Sequence, residues 1–428
     1  MNYIRNMARK FPAVPWMQSA TLYEVNVRQY TPEGSFNAFA SHLPRLADMG
    51  VQMLWFMPIT PISLTGRKGS LGSYYACSDY VSVNPEFGNL DDFRNLVHQA
   101  HSLGMKVIID WVANHTGTDH VWTQTHPQFY KKNAAGEFYD THGWDDVIDL
   151  NYYDQPMRRK MIEAMKFWID ECDIDGFRCD MAHLVPRDFW QQARTALDPL
   201  KPLFWLAETE DLHYLDVFDS CYAWRWMHAT EKYFRRETDL RSLVQLLSTY
   251  EKDFPEGTLP LFFTSNHDEN SWNGTEFEKY GDAARLLAVF SFTWHGMPLI
   301  YSGQELPNHK RLKFFDKDEI EWTDQLELHE FFRSLIRLHA THPAILAGAA
   351  ARPQWAATDK NEAVLAFTRT HQNSELLVIL NCSSSSLVVQ FPSPAVNGAY
   401  TDAISGNSIE LHSSAIELPP YGYFAGIR

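Results

Sequence analysis

In this 428-residue chain, carboxylates, histidines and an arginine recur at the downstream ends of short apolar runs. Asp110 lies in MKVIIDWV (105–112), with Asn114 and His115 just beyond it. Arg178 and Asp180 end DGFRCD (175–180), Glu208 ends LFWLAE (203–208), and Asn266, His267 and Asp268 follow PLFFTS (260–265). A carboxylate can attack as a nucleophile when ionised and donate a proton when neutral. Arg178 lies two residues before Asp180, which on a strand puts both side chains on one face. A guanidinium there would hold Asp180 ionised and oriented. Asp110 is placed to pair with Arg178 and order the site. Singly, each of these groups is ordinarily a solvated loop residue or a helix cap. Their recurrence at successive strand ends is what points to chemistry.

The elements that would position them follow from the runs themselves. Eight apolar runs recur, at 21–27, 51–57, 105–112, 175–180, 203–208, 217–223, 260–265 and 298–303. Helical patterns separate many of them: Met157, Met161, Met165 and Ile169 are spaced by four, and FRNLVHQAHSLG (93–104) ends on a stop-like Gly104. Near-continuous apolar strands alternating with helices predict a parallel sheet covered on both faces. Eight such units predict an α/β fold closed as a (β/α)8 TIM barrel, in which polar groups at the carboxyl ends of strands gather at one mouth. The barrel is expected over 1–113 and 151–346, with a short inserted segment at 114–150 after strand three. From 347 to 428 the pattern changes to short alternating strands, which predicts a C-terminal antiparallel β-sandwich domain. Trp111, Trp168 and Trp205 follow core patterns and are expected to pack.

The formal net charge of −16 argues against nucleic acid and anionic membrane surfaces as partners and suits a small neutral substrate. No run is long and apolar enough to span a bilayer. The basic residues near the N-terminus are followed by no apolar stretch of the kind a secretory leader needs. The five cysteines, at 77, 172, 179, 221 and 382, form no C-x-x-C pair. Free thiols in a reducing compartment, hence a cytoplasmic protein, are expected.

The strings DWVANH (110–115), GFRCDMAH (176–183), LAETE (206–210) and FTSNHDEN (263–270) resemble, in order, the four short conserved segments of the α-amylase family of glycoside hydrolases. SYYACSDY (73–80), NPEFGNLDDF (84–93), VIDLNY (147–152) and PLIYSGQE (298–305) extend the resemblance over nearly the whole chain. It implies a retaining hydrolase of α-1,4-linked glucose oligosaccharides, with Asp180 as nucleophile, Glu208 as acid/base and Asp268 as transition-state stabiliser. It also implies that His115 and His267 hydrogen-bond one glucose, that Tyr75 stacks on that ring, and that His183 touches the next sugar. Asp110 and Arg178 would complete the substrate-binding set. A retaining reaction needs an ionised carboxylate roughly 5–5.5 Å from a second that begins protonated. Crowding by two carboxylates and the nearby Trp205 would raise the pKa of Glu208.

No cofactor is required by this chemistry. Family members often carry a structural calcium, and Asn114 and Asp149 match two of its side-chain positions. The sequence offers no obvious further oxygens for an ion that wants about 6–8. A transferase of the same family would use the same carboxylates, and only its acceptor loops would differ. A non-catalytic sugar-binding relative would lack them. The inserted segment is short and carries Trp122, Phe129, Tyr130 and Trp144, which could close one end of the cleft and favour short substrates. Linkage preference, endo or exo action and oligomeric state depend on loops whose shape the sequence does not specify.

Overall fold

Eight short strands close into the barrel, each almost wholly buried. In the computed structural model, which describes residues 10–393, 396–411 and 415–428, they are β1 (Leu22–Val25), β2 (Met53–Phe56), β3 (Lys106–Trp111), β6 (Gly176–Cys179), β7 (Phe204–Ala207), β8 (Ser220–Tyr222), β9 (Leu259–Phe262) and β10 (Met297–Tyr301). Residues 1–9, on which part of the leader reading rests, lie outside the described residues. The strands run parallel in the closed order β1-β10-β9-β8-β7-β6-β3-β2. All eight apolar runs of the sequence supply one strand each.

Alternation divides each strand between two cores. Leu22, Met53, Trp55, Ile108, Phe204, Leu206, Leu261 and Leu299 fill the barrel interior. Their neighbours Tyr23, Leu54, Val107, Ile109, Phe177, Trp205 and Ile300 face outward beneath the helices. Successive side chains on a strand point to opposite faces, so two residues beyond an interior apolar group is again interior. Glu24, Asp110 and Glu208 stand two residues beyond Leu22, Ile108 and Leu206. The polar layer of the mouth is therefore the continuation of the apolar stacking below it.

The surrounding helices are built on local signals. Helix Leu90–Ser102 opens with a capping box in which Asn89 accepts from Asp92 N and Asp92 accepts from Asn89 N. It stops before Gly104, whose φ of 81° lies in the left-handed region. Helix Gln155–Cys172 buries Met157, Met161, Met165 and Ile169 along one stripe. At β6 the constraint is steric: a Cβ on Gly176 would lie 2.0 Å from the carbonyl oxygen of Phe204 on β7. Only glycine lets these two strands approach so closely.

Between β3 and β6, the inserted segment forms a small antiparallel pair, β4 (His115–Gly117) and β5 (Val147–Asp149), which sets His115 opposite Asp149. Trp122, Phe129 and Tyr130 pack into the main core. Of the four aromatics expected to close the cleft, only Trp144 reaches it. Apolar burial drives the other three inward.

The C-terminal part holds a six-stranded antiparallel sheet ordered β11 (Gln354–Trp355), β12 (Val364–His371), β13 (Ser374–Asn381), β18 (Tyr423–Ile427), β15 (Gly398–Asp402), β16 (Ser408–Leu411). A two-stranded sheet, β14 (Leu387–Gln390) with β17 (Ala415–Leu418), completes it. On β12, Val364 and Ala366 face this domain's own core, whereas Leu365 and Phe367 join the barrel's. Arg369, buried on the same strand, donates to the carbonyls of Ala351, Thr293, Trp294 and Ile345.

Candidate active site

The strand ends converge on one guanidinium. Arg178, fully buried on β6, donates through one terminal nitrogen to Asp110 Oδ1 and to Asp180 Oδ1, both at 2.9 Å. Its other terminal nitrogen is 2.9 Å from Glu208 Oε2, an ion pair whose angle does not make an aligned hydrogen bond. A single cation thus ties the ends of β3, β6 and β7. It lies over the rings of Trp55, Tyr75 and Tyr222, at 5.0, 5.8 and 5.6 Å from their centroids. Those aromatic faces favour the charge and keep water out.

Just past Asp180, Met181 takes a left-handed conformation, φ 40° and ψ 47°. Its backbone N–H donates to Glu208 Oε2 at 2.9 Å. Strained backbone of this kind costs about 1–3 kcal/mol and persists where the surroundings over-determine it. Here the turn aims an amide at the acid candidate.

On the opposite side of the mouth, His267 and Tyr75 form a second set. Tyr75 donates from its hydroxyl to Asp110 Oδ2 at 3.1 Å and lies 2.7 Å from His267 Nε2. The two rings stack at 5.5 Å. His267 Nε2 is 3.3 Å from Asp268 Oδ2, and Nδ1 is 2.5 Å from Glu24 Oε1. Glu24 is the residue the sequence reading missed. Its signal was present: it is the one carboxylate inside the buried strand LYEV.

Burial and charge separate the carboxylates. Burial pushes Glu208 up to about 7, against the pull of Arg178 and with the push of Asp180 and Asp268. Burial likewise lifts Asp180 to about 6, outweighing the lowering by Arg178. Arg178 alone therefore does not keep Asp180 in the ordinary range, as its spacing led one to expect. For Asp268, whose side chain is 37% exposed, the pull of the His267 imidazolium overcomes burial and leaves its pKa below the usual value. His267 itself is held well above the usual range by Asp268 and Glu24, despite burial. His115 is lowered to about 4 by burial and so is neutral. Trp205 does not help raise Glu208: three residues away on a strand, it faces outward and donates to Asp198.

Asp180, Glu208, Asp268, Tyr75 and His115 line one cavity of about 240 Å³, with Trp144, Met181 and Phe314 among its walls. Arg178, Asp110 and His267 lie directly behind these groups. His183 is not brought in: it is exposed on the turn Ala182–Leu184, and its carbonyl accepts from Tyr214. Asn114 and Asp149 lie at the root of the inserted segment, outside this cavity.

The catalytic-domain model of α-amylase matches residues 17–142 and 128–371, and the maltogenic amylase C-terminal domain model matches 357–425. The chain belongs to the α-amylase family. Among curated relatives, the α-amylase MalA of Haloarcula japonica is 27% identical over 93% of this chain and 60% of its own length. A cyclomaltodextrinase of Geobacillus thermopakistaniensis is 26% identical over 91% and 69%. This α-amylase relative thus spans about 60% of the MalA length. An α-amylase structure from Lactobacillus plantarum superposes with a TM-score of 0.89 at 27% identity, covering 97% of this chain and 100% of that one. The maltogenic α-amylase AmyB of Thermotoga neapolitana superposes at 0.88 with 28% identity, over 96% and 99%.

Proposed function

We propose that the protein hydrolyses short α-1,4-linked glucose oligosaccharides with retention of configuration. The supporting observation is the pairing of Asp180 and Glu208 on one guanidinium with their pKa values separated, about 6 against about 7. Between those values Asp180 is ionised while Glu208 keeps its proton, the division of labour the reaction needs. Asp180 bonds to the anomeric carbon as the glycosidic bond breaks, and Glu208 gives its proton to the departing oxygen. Glu208, now ionised, takes a proton from water. The water oxygen bonds to the anomeric carbon and frees Asp180. Asp268 holds the sugar's hydroxyls through the oxocarbenium-like transition states, with neutral His115 donating or accepting around the ring, the His267 imidazolium donating, and Tyr75 beneath it. Two inversions return the α-anomer.

Short substrates fit the site's size. Its cavity of about 240 Å³ is small beside the roughly 300–1,000 Å³ usual for ligand pockets. Lys68 crosses one wall, paired with Asp145 at 2.8 Å and Asp146 at 3.1 Å, next to Trp144. The names of the relatives, amylases and a cyclomaltodextrinase, agree with an α-glucan substrate. Five free, buried cysteines support a reducing, cytoplasmic setting. No described helix is long and apolar enough to cross a membrane.

The test is a product profile on maltotriose, maltopentaose and soluble starch, with starch viscosity followed and the first anomer identified by proton NMR. Glucose or maltose released from the oligomers as the α-anomer, with starch viscosity falling slowly, is expected. A β-anomer appearing first would end the retaining reading. Rapid viscosity loss would mean mid-chain attack on polymer, and products longer than the substrate would mean transfer.

A further inference from the structure

Asn114 and Asp149 are the side chains that the family resemblance offers to a structural calcium, and their surroundings do not suit one. Calcium takes about 6–8 oxygens. Among the described residues no group of three or more His, Cys, Asp or Glu is arranged to hold a metal. The backbone oxygens of residues 112–115 all accept protein hydrogens. Val112 O and His115 O accept from the Tyr80 hydroxyl at 2.7 and 3.1 Å. Ala113 O accepts from the Tyr152 hydroxyl at 2.7 Å, and Asn114 O from Leu150 N at 3.0 Å. Asn114 turns its amide nitrogen onto His115 Nδ1 at 3.2 Å.

One oxygen of the carboxylate is engaged as well, while Asp149 Oδ1 and Asp140 Oδ1 are buried without a hydrogen-bond partner among the described residues. Asp149, with no exposed side-chain surface, accepts on Oδ2 from Lys131 Nζ at 2.9 Å and from the Thr141 hydroxyl at 2.6 Å. The Lys131 backbone N–H also donates to Asp149 O, at 3.0 Å. The cavity of about 1000 Å³ that opens onto Lys131 is lined by three cations, Lys131, Lys132 and Arg158. Its one carboxylate, Asp188, is already bound by Arg158 at 2.6 Å. A doubly charged ion approaching by this route meets repulsion, finds Asp149 Oδ2 occupied, and is offered only the free oxygens of Asp149 and Asp140 where it wants about 6–8.

We propose that the Lys131 ammonium is itself the structural cation of this protein, tying the inserted segment to β5 through Asp149 and making the fold independent of calcium. β5 pairs with β4, and His115 stands opposite Asp149 on that pair. The ammonium therefore also braces one wall of the catalytic cavity.

The experiment measures metal content and melting of the intact enzyme. After dialysis against EDTA, the wild type should carry far less than one calcium per chain. Its Tm should be the same in EDTA, in buffer and with added CaCl2. Lys131→Met should lower Tm by several degrees and raise KM for maltotriose more than it lowers kcat. About one calcium per chain surviving dialysis, or a wild-type Tm that drops in EDTA and recovers with CaCl2, would overturn the proposal. So would a Lys131→Met protein that melts with the wild type. If that variant does not fold, the wild-type metal content and EDTA melts decide the matter alone.

Discussion

At the scale of single residues, the site works by making like groups unlike. Asp180 and Glu208 are both buried carboxylates on Arg178, yet burial and neighbours leave one at about 6 and the other at about 7. Asp180→Asn should cut kcat by roughly a thousandfold or more while the protein stays folded, because an amide cannot capture the anomeric carbon. A variant keeping a tenth of wild-type kcat would remove Asp180 from the nucleophile role. Glu208→Gln should be as damaging on maltotriose but far less so on an aryl glycoside whose leaving group needs little protonation. Equal losses on both would point to another acid. The same two values set the pH dependence. As pH falls through about 6, the Asp180–Asp110 pair gains a proton and the nucleophile is lost; as pH rises through about 7, Glu208 loses the proton it must donate. A kcat/KM profile should therefore be a narrow bell between those limbs, and a flat profile from pH 5 to 9 would refute this assignment. Glu24 acts one step back, on His267 Nδ1. Glu24→Gln should let His267 lose its proton at lower pH, with kcat/KM falling about tenfold per pH unit only above the point where it does so. An unchanged His267 titration by NMR would show that Asp268 alone holds it charged.

At the scale of elements, the close approach of β6 to β7 sets the distance between nucleophile and acid. Gly176 starts the strand that carries Arg178 and precedes Asp180, and its missing side chain leaves room for the Phe204 carbonyl. Gly176→Ala should destabilise the protein by on the order of 3 kcal/mol or more, since the obstacle is backbone and cannot rotate away. It should also lower kcat, because parting β6 from β7 moves Asp180 away from Glu208. A thermal melt and a rate at a temperature where the variant is folded separate the two effects. Wild-type values for both would mean that the strands part without disturbing the site. The left-handed Met181 and the β4–β5 pair play related parts, one aiming an amide at Glu208 and the other presenting His115.

At the scale of the whole molecule, the C-terminal sheet is continuous with the barrel's packing. β12 and β13 each place alternate residues in two cores, and Arg369 binds four carbonyls from the barrel's last helices and the connection that follows. Arg369→Met should cost about 1–3 kcal/mol by leaving buried carbonyls unpaired. It should lower Tm with little change in kcat on maltotriose well below the melt. If kcat falls while Tm holds, the domain contact serves catalysis and not stability.

The barrel and its carboxylates were legible in the sequence because both are written locally. A strand buried on two faces must be an apolar run, and a group two residues beyond an interior apolar side chain must be interior too. Asp110 and Glu208 could be placed by that count and Arg178 and Asp180 by their shared strand face, and the motif strings added Tyr75, His115, His267 and Asp268. What tertiary structure alone decided depends on contacts between distant segments. Glu24 meets His267 across 243 positions. The order of the carboxylate pKa values is a sum over burial and charges from several strands. His183 carries a suitable side chain, but its turn leaves it exposed. Trp122, Phe129 and Tyr130 resemble Trp144 as residue types, and only packing assigns them to the core and Trp144 to the cavity. The pairing of Lys131 with Asp149 carries no pattern in the chain, because an ion pair between loop and strand has no period. Short-range order follows from residue type and spacing; electrostatic balance follows only from which charges the fold brings within a few ångströms of one another.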